Sequence, residues 1–193
     1  MNRIIDKIME KLLSGGWVGE ENAEIVRYGL ELNLMKGLIS AAMLAAAFLF
    51  RSAPAVIVFM LVYPPMRSCC GGYHAGTRTA CFISSMLILA AVIAASKLIK
   101  GTVVLFTSIG LYASGAVLVL LLAPVAAANK PFDAAEQVVF RRRSLIVTAA
   151  AAAVTAALAL AGMYSLMLSV SLAVFFTGAF LAVGRLTNRK GAV

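Results

Sequence analysis

Apolar residues fall in long runs along this chain, and the polar positions are gathered into the short stretches between them. The runs predict membrane-crossing helices at 37–50, 54–66, 81–99, 102–126, 144–162 and 165–184, judged against the ~20 apolar residues a bilayer requires. The last four are adequate or nearly so. The first two are short, and Arg51 and Pro54 separate them, so they read as tilted, extended at their ends, or a re-entrant hairpin. Either form returns the chain to its starting side. Ahead of them the period changes. Ile4, Ile5, Ile8 and Leu12 recur at helical spacing with Arg3, Lys7, Glu10 and Lys11 largely opposite, the pattern of a short amphipathic helix on a membrane surface. Gly15-Gly16 ends it, and a more acidic helical stretch follows through Glu31. The expected architecture is an all-α integral membrane protein of about six transmembrane helices after an N-terminal amphipathic interfacial helix. It divides into a helical N-terminus over 1–32, one polytopic domain over 33–184 and a basic tail over 185–193.

Composition agrees with lipid as the solvent. Of 193 residues, 62% are apolar and 13% charged, where a soluble domain carries about a quarter charged residues. The net charge of +9 first suggests nucleic acid. The basic residues, however, flank the apolar runs, where they meet anionic headgroups, so the expected partner is the bilayer and not nucleic acid. One side would hold fourteen Lys and Arg residues, the other only Arg51, Lys97 and Lys100. The positive-inside rule puts the fourteen in the cytoplasm of a bacterial cell membrane, with both termini and the loops 67–81 and 127–143. Met1 to Leu13 is not a secretory signal, because Asp6 and Glu10 interrupt it. Small residues such as those at Ala149 to Ala153 allow close helix packing, and such faces also suit a homodimer.

The chemistry-bearing side chains are concentrated. The one histidine, His74, and all three cysteines, Cys69, Cys70 and Cys81, fall between Arg67 and Cys81. On a cytoplasmic face these thiols stay reduced. A thiol beside an imidazole suffices for covalent catalysis: the imidazole takes the proton and the sulfur attacks a carbonyl. Along a continuous helix His74 and Cys81 would share a face about 10 Å apart, too far for proton transfer. Gly71, Gly72 and Gly76 permit a fold-back, so a dyad requires a turn near Gly76 with Cys81 at the start of the next span. Cys69 and Cys70 compete with Cys81 on proximity, and packing suits all three thiols. His74 also suits a plain interfacial hydrogen-bonding role. Other chemistries lack parts. No carboxylate occurs between Glu31 and Asp133, so one His cannot supply the several His or carboxylate ligands of a zinc protease, an aspartyl pair has no members there, and neither metal nor cofactor is expected. Ser84 and Ser85 lie beyond Cys81 without a Gly-x-Ser-x-Gly elbow. The run Arg141-Arg142-Arg143 reads as a headgroup anchor or as a clamp for an acidic peptide tail.

At this loop the sequence resembles the accessory gene regulator B (AgrB) family. That signature is an arginine, a glycine-rich turn, a His-Ala pair and a cysteine seven residues after the histidine. Here it reads Arg67, Gly71-Gly72-Tyr73-His74-Ala75 and Cys81-Phe82. Tyr28-Gly29-Leu30-Glu31 is similar to the motif before the first span, and Ala123-Pro124 with Asn129-Lys130-Pro131 is similar to the second cytoplasmic loop. The resemblance implies a thiol endopeptidase of quorum sensing, with Cys81 as nucleophile, His74 as general base, and Arg67 and Gly72 supporting the site. It implies an AgrD-like propeptide as substrate, cut through an acyl-enzyme thioester that a group of the peptide then displaces to close a ring. Lys130 alone stands where some members carry a run of lysines, so Arg141, Arg142 and Arg143 are the further candidates for holding the tail. The competing functions are a peptide exporter without covalent chemistry and a non-catalytic membrane scaffold. A scarcity of charge within the spans argues against a transport pathway.

Overall fold

A computed structural model describes residues 2–73, 77–126 and 132–190, and among these the regular elements are all helices. Seven α-helices follow in order: α1 (Asn2–Ser14), α2 (Ala23–Leu49), α3 (Ala53–Cys70), α4 (Arg78–Leu98), α5 (Val103–Leu122), α6 (Ala134–Leu160) and α7 (Tyr164–Lys190). Six of them, α2 to α7, are long and apolar enough to cross a membrane. The chain forms two units, Met1–Ala45 and Ala46–Val193.

In the first unit, α1 is amphipathic, but both sides of the expected apolar stripe are used. Ile5 and Met9 are buried, whereas Ile4, Ile8 and Trp17 are exposed. Asp6 accepts from Arg27 at 2.7 Å, which ties α1 to the first turns of α2. Both side chains are about half exposed, so the pair orients the helices more than it stabilises them. The acidic stretch through Glu31 is not a separate element; from Ala23 on it is the polar beginning of α2.

The two short apolar runs under-read their helices, which have 27 and 18 residues. Arg51, with a φ of 51°, lies in the turn that joins them. At 1.5 Å per residue α3 is about 27 Å long, close to the ~30 Å hydrocarbon layer. It continues through Pro64-Pro65 to Cys70, as membrane helices permit when neighbours satisfy the freed carbonyls. Likewise α6 starts ten residues before its apolar run, because Asp133 caps it: its carboxylate accepts from the Glu136 N–H at 2.6 Å and Glu136 reaches back.

Helix α7 is the centre of the second unit. In its apolar span 61% of the residues are buried, against 17–28% in the other five. Met66, Ala151, Val170 and Val174 form one core cluster, bringing α3, α6 and α7 together. With lipid outside, close approach and dispersion do more than apolar burial, so small residues sit at the contacts. A Cβ on Gly115 of α5 would fall 2.6 Å from the Phe175 backbone of α7, and one on Gly178 would fall 2.8 Å from the Gly115 carbonyl. Gly115→Ala is therefore expected to overpack α5 on α7 and cost about 1–3 kcal/mol, read as a lower thermal midpoint in detergent. Gly110→Ala, where an added Cβ meets nothing within 4 Å, should melt like the wild type.

Candidate functional site

The site lies where α3, α5 and α7 end and α4 and α6 begin. Helix α3 stops at Cys70 because Gly71 (φ 74°) and Gly72 (φ 105°) take conformations that side chains rarely adopt. Space closes the same positions. A Cβ on Gly71 would overlap the Val125 carbonyl, and one on Gly72 would lie 2.7 Å from the Arg67 guanidinium and 2.9 Å from the Phe180 carbonyl. The freed backbone is stitched to its neighbours on two sides. Val125, just beyond α5, donates to the Cys70 carbonyl at 3.1 Å and accepts from the Gly72 N–H at 2.9 Å. On the other side Tyr73 donates its N–H to the Phe180 carbonyl of α7 at 3.0 Å.

Arg67 holds this turn from inside. Its guanidinium donates to the carbonyl of Gly71 at 2.5 Å and to that of Tyr73 at 2.6 Å. Its flat face rests over the Phe180 ring, 5.0 Å from the centroid, and the Tyr73 ring stacks beside the same phenylalanine. A planar fork of donors suits two carbonyls at once, which an ammonium group does not match. Arg67 therefore fixes the backbone on both sides of Gly72.

The three thiols differ in their surroundings. Cys70 is wholly buried among Val119, Ala123, Val125 and Leu181. Cys69 is half-buried, and its carbonyl accepts from Ser144 of α6 at 3.1 Å. Cys81 is exposed. It occupies the first turn of α4, because Thr77 caps that helix: the Thr77 hydroxyl accepts from the Ala80 N–H at 3.2 Å and its carbonyl from the Cys81 N–H at 3.1 Å. Ser84 and Ser85 both donate to the Cys81 carbonyl at 2.9 Å, so neither hydroxyl is held ready as a nucleophile.

Of the residues singled out from sequence, Arg67, Gly71, Gly72 and Cys81 come to one end of the second unit. His74, Gly76 and Lys130 lie outside the described residues. Tyr73 and Thr77, the described residues on either side of His74 and Gly76, are each anchored, one on α7 and the other as the α4 cap. The arginine run separates by function. Arg141 donates to the carbonyls of Leu120 at 2.6 Å and Ala123 at 2.5 Å, closing the C-terminal end of α5. Arg142 and Arg143 are exposed, and Arg143 rests over the Phe140 ring. Sequence reasoning missed Val125, Ser144, Phe180 and Gly184. Only the two glycines of α7, Gly178 and Gly184, hinted at close backbone approach.

These features define a class: a polytopic helical membrane protein with an exposed thiol beside an arginine-clamped glycine turn. The family model for accessory gene regulator B matches residues 1–181, and the chain belongs to that family. Membership assigns it to the agr quorum-sensing system, among cysteine-protease-like membrane proteins, with a propeptide of that system as partner. No curated protein and no solved structure matches the chain.

Proposed function

We propose that this chain is a membrane cysteine endopeptidase that removes the C-terminal tail of its propeptide and promotes ring closure of the remaining core. The observation that carries the reading is the exposed Cys81 sulfur on the first turn of α4, at the same end of the second unit as the Arg67-clamped turn that leads into His74. In this mechanism His74 takes the Cys81 proton and the sulfur attacks the carbonyl at the end of the core. The C–N bond to the tail breaks, and the imidazolium returns its proton to the leaving amine. The core is left as a thioester on Cys81. A thiol or hydroxyl of the core, losing its proton to His74, then attacks that carbonyl, closes the ring and releases the Cys81 sulfur. Exclusion of water protects the thioester in the interval.

The site end carries Arg67, Arg141, Arg142, Arg143 and Arg185, while Arg51, Lys97 and Lys100 belong to the opposite turns. By the positive-inside rule the site and both termini face the cytoplasm. With Arg141 engaged by α5, the exposed Arg142 and Arg143 are the residues that hold the acidic tail, together with Lys130. A propeptide with its tail carboxylates changed to amides should then show a raised KM at low salt, and an unchanged KM would remove the clamp from the mechanism. The acyl-enzyme supplies the direct test. Purified protein mixed with propeptide and quenched in acid should carry the core's mass on the Cys81 peptide, removable by hydroxylamine. Tail release without that adduct, or an adduct on Cys69, would overturn the assignment.

A further inference from the structure

Helix α7 contributes a seat on which the turn leading into His74 rests. The Tyr73 N–H donates to the Phe180 carbonyl at 3.0 Å, and the Phe180 ring lies beneath both the Arg67 guanidinium and the Tyr73 ring. One helical turn further on, Gly184 leaves the space the turn occupies: a Cβ there would stand 2.5 Å from the Tyr73 nitrogen and 2.8 Å from the Gly72 carbonyl carbon. Both are backbone atoms, so relief requires the turn itself to move. Gly184 lies beyond the residues matched by the family model. The contact is also independent of the Arg67 hydrogen bonds, since it approaches the turn from the α7 side.

We propose that Phe180 and Gly184 are positioning residues for the chemistry at Cys81, by fixing the backbone of Gly72 and Tyr73 on α7. This rests on the Cys81–His74 reading above. His74 follows Tyr73 directly in the chain, and a displacement near 1 Å costs about 10²-fold in rate when reacting groups must align.

The test uses the full chain in detergent, with iodoacetamide as the probe and alkylation of Cys81 followed by mass across pH. In the wild type the profile should contain an imidazole-linked step that His74→Ala removes. Gly184→Ala should remove it as well, although no charged group is substituted. Gly110→Ala should keep it. If Gly184→Ala does not fold, Phe180→Leu takes its place: it should lose the step, and Phe180→Tyr, which keeps the ring, should restore it. A step removed by His74→Ala but untouched by Gly184→Ala, or by Phe180→Leu where that stands in, overturns the α7 seat and leaves the dyad intact. A profile that His74→Ala leaves unchanged overturns the dyad, and the seat with it.

Discussion

Cys81→Ala is expected to abolish tail release, lowering the rate by at least about 10³-fold, the order of loss seen when a covalent nucleophile is removed. Cys81→Ser should be nearly as slow, because the hydroxyl keeps the shape of the site but lacks the nucleophilicity of a thiolate. The surroundings of the other two thiols make the contrast sharp. Cys70 is wholly buried, so Cys70→Ala should lower stability through lost packing while the protein that folds still cuts. Cys69 accepts at its carbonyl from Ser144, and its sulfur lies 4.0 Å from the Ser68 hydroxyl. Cys69→Ala should therefore cut at close to the wild-type rate. Co-expression with the propeptide and a mass measurement of the products compares all four variants. Continued tail release by Cys81→Ala would end the endopeptidase reading and favour an exporter or a scaffold.

Apolar runs and flanking charges made the helix count and the amphipathic start readable in advance, whereas the expected loop 67–81 is helical at both ends, with Cys69 and Cys70 in α3 and Cys81 in α4. Helix lengths were less readable, since an apolar run marks the thickness of the lipid and not the reach of the helix. Glu24, Arg27 and Glu31 at the start of α2, and Gln137 and Arg141 to Arg143 at the start of α6, are helical outside the apolar run. For α6 a local signal existed, because Asp133 followed three residues later by Glu136 is the pattern of a capping box. Apart from the glycine at Gly184, the supports of the site had no such signal. Val125, Ser144, Phe180 and Gly184 meet the 67–73 segment only once α5, α6 and α7 have packed, and their partners are mostly backbone atoms, which leave no pattern in the side chains. Arg141 illustrates the same limit. In sequence it is one of three equivalent cations, and only the fold shows that the α5 carbonyls engage it.

The second large effect is expected at Arg67, where charge and shape can be separated. Arg67→Lys keeps a cation close to Cys81 but replaces a two-pronged donor with a single ammonium that cannot serve the Gly71 and Tyr73 carbonyls together. At least one part-buried carbonyl then loses its partner, at about 1–3 kcal/mol, and the stacking on Phe180 is lost as well. The protein should still fold, because the Val125 and Phe180 backbone bonds to the turn remain. The turn, however, is held less firmly, and cleavage is expected to fall by about 10²-fold, with KM little changed. Arg67→Ala should fall at least as far. Were Arg67 merely a positive charge near the thiol, lysine would serve nearly as well as arginine, so a fully active Arg67→Lys enzyme would show that the clamp on the two carbonyls is not what positions the site.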